Sequence, residues 1–159
     1  MGRAQYPTLH QTMKKLTGLI LIVILGCTTF SASSDAISLE FRSASQSPIN
    51  GFQEMTVVGS VDKIFISQEV IISESDISSA EIVGTSDRPL IEIFLTEGGV
   101  RKLSRATEAN IGTPLGIIID DKLFGAPIIR QAINTSSMII SGQLTQKEVS
   151  DVVDRINTR

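Results

Sequence analysis

Two stretches of this chain open helices in the same way, and together they limit what the chain can fold into. Leu95 precedes Thr96, with Val100 five residues after the leucine; Leu144 precedes Thr145, with Val149 five residues after it. That spacing sets an apolar residue before the cap, a threonine at the N-cap and a valine in the first full turn, a hydrophobic staple. The second start adds Glu148 three residues after Thr145, which completes a capping box worth about 1 kcal/mol. Val149, Val152, Val153 and Ile156 then form one apolar stripe at helical spacing, and Val100, Leu103 and Ala106 do the same for the first helix. Arg101, Lys102 and Arg105 read as its solvated face. Gly98 and Gly99 weaken its first turn, each by nearly 1 kcal/mol relative to Ala, which points to a close backbone approach or a loose turn there.

Short β patterns surround the helices. Leu90 to Leu95 alternates, and Leu115-Gly-Ile-Ile-Ile119 is a solid apolar run, as expected of a strand covered on both faces. Asp120-Asp121 fits a two-residue turn. A following strand contains Pro127, which confines it to an edge or a bulge. Met138 to Ile140 is a further strand. Gly112 and Pro114 end the first helix, and Asn134 to Ser137 is a loop. Upstream, Met55 to Val58, Lys63 to Ile66 and Glu69 to Ser73 are β-rich runs. Ser73 to Asp76 has capping-box spacing for a brief helical turn, Asp76 to Ala80; Glu81 to Val83 is a weaker strand signal, and Gly84 to Pro89 reads as a loop. The expected fold is α+β: a two-layer sandwich, with a mostly antiparallel sheet and two main helices on one face.

The first thirty residues read differently. Lys14-Lys15 precede Leu16 to Gly26, an apolar run of 11 residues. A spanning helix needs roughly 20, so the run fits a secretory signal peptide with a basic n-region. Met13 directly ahead of the lysines fits a translation start. Ile24-Leu-Gly-Cys27 resembles a bacterial lipobox, with Leu25 a departure from its usual small residue, and makes Cys27 the expected lipidation site. The other reading is a plain signal peptide cut later, for example after Ala32. The expected organisation is a signal over residues 1–27, a Ser-, Gln- and Asn-rich tether over 28–54 with one short strand at Ile37 to Phe41, and an α+β domain over 55–159.

Loss of residues 1–26 removes Arg3, Lys14 and Lys15, leaving 11 basic against 17 acidic residues, a net charge of −6. Such a surface repels phosphate backbones, so nucleic acid is not an expected partner. The remaining chain has no His, and Cys27 is its only cysteine. Ser-His-Asp and Cys-His mechanisms therefore lack their parts, zinc lacks its usual ligands, and no cofactor is implied. Asp120-Asp121 with Asp87 or Glu92 offers carboxylates for a hard cation, but a solvated turn accounts for the pair more simply. Gly98-Gly99 at a helix N-terminus offers free N–H groups to an anion, but a tight strand-to-helix junction accounts for them more simply. An edge strand beside apolar side chains, here Leu123, Phe124 and Pro127, is able to accept an extended peptide by strand addition; Phe124 in the core is the competing reading.

Several runs together carry a family resemblance: Gly99-Val-Arg-Lys-Leu103, Thr107-Glu-Ala-Asn-Ile-Gly112, Leu115-Gly-Ile-Ile-Ile-Asp120, Ala126-Pro127 and Ile139-Ile-Ser-Gly142-Gln-Leu-Thr145. From about residue 68 to 157 the chain resembles the periplasmic head domain of SecD, a membrane subunit of the bacterial protein-export machinery. Gly99, Gly112, Asp120, Ala126, Pro127 and Gly142 match that pattern as structural positions. The departures are Asp121 where the family has glycine, which suggests another turn type, and Gly125 where it has serine. No multi-helix membrane region accompanies the head. The resemblance implies a non-enzymatic, periplasmic protein that binds extended polypeptide or a protein partner, auxiliary to export, and the lipobox-like run adds a lipid anchor to a membrane. The alternative is a structural or regulatory envelope lipoprotein unrelated to export.

Overall fold

A computed structural model of the chain describes residues 1–2 and 38–159. Met13, Cys27, the leader and the first part of the expected tether lie outside the described residues.

Eight strands form two antiparallel sheets, and two helices pack with them. The larger sheet contains β1 (Leu39–Ser45), β2 (Gln53–Thr56), β3 (Lys63–Ile72), β6 (Leu115–Ile119) and β7 (Lys122–Gly125), in the order β2-β3-β1-β6-β7. The smaller contains β4 (Ile77–Thr85), β5 (Arg88–Leu95) and β8 (Ser137–Ile140), in the order β4-β5-β8. Helix α1 spans Glu97–Ala109 and α2 spans Gln146–Asn157. The expected α+β class, antiparallel pairing and two main helices are all present. The strands divide between two sheets instead of lying in one.

The tether expected over 28–54 is corrected from residue 39 onward. Leu39–Ser45 is the middle strand of the larger sheet, paired with β3 on one side and β6 on the other. Leu39 and Phe41 are fully buried. Its polar neighbours in sequence hide it, because its burial comes from strands far along the chain.

The apolar run of β6 now has a cause. Leu115, Ile117 and Ile119 face the main core, which also takes in Phe41, Ile91, Ile93, Leu103, Val149 and Val153. Ile118 faces a second, smaller core with Ala44, Ile64, Ile66 and Leu123. Gly116 is on that second side, where a Cβ would lie 2.7 Å from the Ile66 side chain. The larger sheet encloses this second core by curling until its two edges meet. Past β2, Val58 N–H donates to the Leu123 carbonyl at 2.8 Å, and Val57 bridges Leu123 in parallel.

The smaller sheet corrects two local expectations. A 3-10 turn covers Glu74–Asp76 and gives way at once to β4, so no helical turn continues to Ala80. The expected loop from Gly84 to Pro89 is the tip of a long β4–β5 hairpin, with Thr85 opposite Arg88. Proline is tolerated at position 89 because β8 pairs with β5 only from Ile91 onward, and no ladder bond is lost on that side. Both helices begin as their sequences indicate: Thr96 Oγ1 accepts from Gly99 N–H at 3.1 Å, and Thr145 N–H donates to Glu148 at 2.8 Å.

Candidate binding edge

The expected docking edge at Leu123 and Phe124 is not available. Leu123 is fully buried in the smaller core, and Phe124 is 8% exposed in the main one. The outward Leu123 carbonyl is already bonded to Val58. The two side chains are core because β7 is the strand over which the sheet curls closed. Pro127 is exposed and lies past the end of β7. Its carbonyl accepts from Leu115 N–H at 2.9 Å, so the chain continues beside β6 without a regular strand.

The remaining motif positions do structural work. Gly99 approaches Asp76 so closely that a Cβ would lie 2.4 Å from its carbonyl oxygen. Gly112 has φ +90° after α1. Gly142 sits under Phe124, with 3.3 Å between a would-be Cβ and the Phe124 carbonyl, and Ala126 packs against the smaller core. Asp120 and Asp121 have φ values of 47° and 60°. The hairpin thus keeps left-handed geometry at both positions, as two-residue turns of the I′ kind do, rather than changing its turn type.

The polar candidates are also accounted for. Asp120 Oδ2 accepts from Arg155 at 2.6 Å and its Oδ1 from Ser38 N–H at 3.2 Å. Among the described residues no three His, Cys, Asp or Glu side chains gather as a metal site. The start of α1 is occupied by the chain itself. The Asp76 carbonyl accepts from Thr96 N–H at 2.8 Å, and Lys102 Nζ holds both Asp76 carboxylate oxygens at 2.8 and 2.9 Å. Lys102 is therefore not simply solvated. Burial acts to raise the Asp76 carboxyl. Hydrogen bonds from Lys102 and Ser73, with the lysine charge, outweigh it and leave the group below the ordinary 3.8. Sequence spacing identified Asp76 as a cap for its own turn, but not its partner 26 residues on.

An open edge exists on the smaller sheet. Leu95 N–H donates to the Ser136 carbonyl at 2.8 Å. That bond sets the antiparallel alternation: Met138 and Ile140 bond to β5, while Ser137 and Ile139 turn their N–H and C=O groups away from it. The Ser137 carbonyl takes the Thr135 hydroxyl at 2.9 Å. Among the described residues no hydrogen bond outside the β5 pairing reaches the Ile139 backbone. The Ile139 side chain is also 59% exposed. The opposite edge, on β4, is blocked near its start, where the Asn157 side chain bonds to Ala80.

The face beside this edge is apolar with an acidic centre. Val83 lies opposite Leu90, Glu81 opposite Glu92, and Glu92 opposite Ile139; Phe94 lies opposite Ser79 and Ser137. Val83, Leu90, Phe94 and Ile139 neither belong to the two cores nor pack against them. The helices pack on the other face, and on this one Glu81 and Ile139 are exposed while Val83, Leu90, Glu92 and Phe94 are half-buried. Among the described residues no helix is long and apolar enough to cross a membrane.

Comparison with known proteins points in one direction. The family model for the SecDF P1 head subdomain matches residues 51–157. The protein translocase subunit SecDF of Thermus thermophilus is 31% identical over 83 residues, covering 52% of this chain and 11% of the relative. Protein translocase subunit SecD of Aquifex aeolicus is 30% identical over 88 residues, covering 55% of this chain and 17% of the relative. The chain thus spans less than a fifth of those relatives. A crystal structure of SecDF in a super-membrane-facing form superimposes with a TM-score of 0.64 at 24% identity, over 78% of this chain and 19% of that one. A second structure, of SecDF as a membrane component that enhances protein export, gives 0.59 at 22% identity, over 77% of this chain and 62% of that one. These two likenesses establish the fold.

Proposed function

The chain belongs to the family of SecDF P1 head subdomains, and from that premise we propose that it serves protein export by binding extended polypeptide without catalysing a reaction. The binding element is the β8 edge, where an incoming strand pairs with Ile139. One observation carries this reading: Ile139 offers an outward N–H, an outward C=O and an exposed apolar side chain at a sheet edge that nothing among the described residues covers. Main-chain pairing of this kind accepts many sequences, which suits a protein that meets diverse unfolded chains.

The domain works on the far side of the bacterial inner membrane, directed there by its N-terminal signal and held there by acylation at Cys27. The lipobox-like Ile24 to Cys27 supports the anchor. Two acyl chains together bind a bilayer stably where one is marginal. Cys27→Ser releases the protein from the membrane fraction on this reading, and an unchanged fraction removes the lipid anchor from it.

The test of binding is site-specific photo-crosslinking from position 139 in cells while a secreted reporter is in transit. Adducts with the reporter are expected at 139 and none from the buried position 124. Ile139→Pro removes the outward donor but leaves the bonds to β5 intact, and with the probe moved to position 137, on the same face and edge of β8, it should abolish the adduct obtained from there. Adducts that survive the proline, or a single folded envelope protein as the only product, would overturn strand addition and favour an envelope role apart from export.

A further inference from the structure

The outer face of the smaller sheet carries an arrangement that its own fold does not need. Glu81 and Glu92 stand directly opposite each other on β4 and β5. Like charges in that position destabilise a sheet. Among the described residues neither has an ion-pair partner. Apolar residues lie on either side of the pair, Val83 and Leu90 toward the hairpin tip and Phe94 toward the other end. In the row that crosses the sheet, Glu81 is followed by Glu92 and then by Ile139, the last residue before the open edge.

We infer that this row reads a basic residue in the bound strand, and that the preferred ligand is an extended segment with a Lys or Arg flanked at two residues on each side by apolar side chains. A strand added beside β8 extends every row of the face by one position. Its residue opposite Ile139 joins the Glu81–Glu92–Ile139 row, two strand spacings, or about 10 Å, from the Glu92 backbone. A lysine or arginine there lays its aliphatic stem across the exposed Ile139 and brings its charge to Glu92. The ligand residues two places away fall in the rows of Phe94 and Leu90, where apolar side chains cover apolar surface. A ligand cation would also relieve the Glu81–Glu92 repulsion. An acidic residue at the same position would add a third negative charge to the row.

This specificity, which rests on strand addition at β8, is tested with three fluorescent peptides of alternating Thr and Val. Their central residue, two places from a Val on each side, is Lys, Gln or Glu. Binding to the purified chain is read by anisotropy at low salt. The Lys peptide should bind roughly fivefold more tightly than the Gln peptide, and the Glu peptide more weakly still. In the double variant Glu81→Gln/Glu92→Gln the three should converge, and salt should erase the order in the unaltered protein. The double variant should also be more stable than the parent, because the opposed charges are gone. Equal affinities for Lys and Gln, or an order that persists in the double variant, overturn the charge reading. If Ile139→Pro still abolishes binding in that case, strand addition stands alone. If none of the peptides binds, or the proline leaves binding unchanged, both readings fall.

Discussion

The side-chain amide of Asn157 lies against the backbone of Ala80 as a neighbouring strand would. Its Oδ1 accepts from Ala80 N–H at 2.9 Å, and its Nδ2 donates to the Ala80 carbonyl at 2.8 Å. The last residue of α2 thus closes the β4 edge at the point where α2 packs on the sheet. An uncovered edge invites pairing with other chains.

Asn157→Ala removes both bonds and leaves a buried alanine with an unpaired N–H and C=O. A loss of about 1–2 kcal/mol is expected, read as a lower urea midpoint with unchanged slope. Asn157→Asp keeps the acceptor but loses the donor, and should fall between. If the alanine variant matches the parent, water satisfies Ala80 equally well and the side chain is not a structural plug.

Two adjacent glycines should respond in opposite directions. At Gly98 a Cβ would meet only the Thr96 hydroxyl at 3.6 Å. Gly98→Ala should therefore stabilise the protein by up to about 1 kcal/mol through helix propensity. At Gly99 the same atom would press on the Asp76 carbonyl oxygen at 2.4 Å. That oxygen also accepts from Thr96, so the start of α1 has to move and Gly99→Ala should lower the melting temperature. A rise in both variants would mean that the Asp76 loop yields easily.

Local chemistry was legible in the sequence, and pairing between distant segments was not. Thr145 and Glu148 are three residues apart, and their reciprocal bonds follow from that spacing alone. The same holds for Thr96 and Gly99. Leu39 to Ser45 read as tether with only a short strand at Ile37 to Phe41, because its burial depends on Ile72 and Ile117, far along the chain. Phe124 could be read as an edge residue, because Pro127 follows it, or as core, and the curl of the sheet makes it core. Ile139 was visible as a strand residue. Its outward-facing backbone became evident only once β8 was aligned with β5, since alternation has no phase until a partner fixes it.

The Asp76–Lys102 pair should give the protein a specific acid sensitivity. The folded state holds the Asp76 carboxyl below its ordinary value of 3.8. A depressed folded value stabilises the protein above the unfolded one and loses that contribution as pH falls through the folded one. Stability should therefore decline from about pH 4 downward, and Asp76→Asn should flatten this decline while lowering stability at neutral pH. Glu148 is also held low, by the Thr145 N–H and then its hydroxyl. A Glu148→Gln control separates the two contributions. If Asp76→Asn leaves the acid limb as steep as before, the sensitivity belongs to other carboxylates.

The Asp120-Asp121 turn makes a last distinction testable. Both residues hold left-handed φ values, which cost an L residue on the order of 1 kcal/mol and glycine almost nothing. Asp121 is exposed, and no side-chain hydrogen bond or ion pair among the described residues involves it, so Asp121→Gly should raise stability by roughly that amount. Asp120 has the same strain but holds Arg155 at 2.6 Å and Ser38 N–H at 3.2 Å. Asp120→Gly gives up those bonds as it relieves the backbone, so its midpoint should remain below that of Asp121→Gly. The Asp120 and Arg155 side chains are 42% and 34% exposed, so the ion pair itself should contribute well under 1 kcal/mol. Much of the difference would then come from Ser38, whose carbonyl also accepts from Asp120 N–H at 2.8 Å. Equal midpoints for the two variants would mean that Asp120 does not hold the start of β1 to the hairpin.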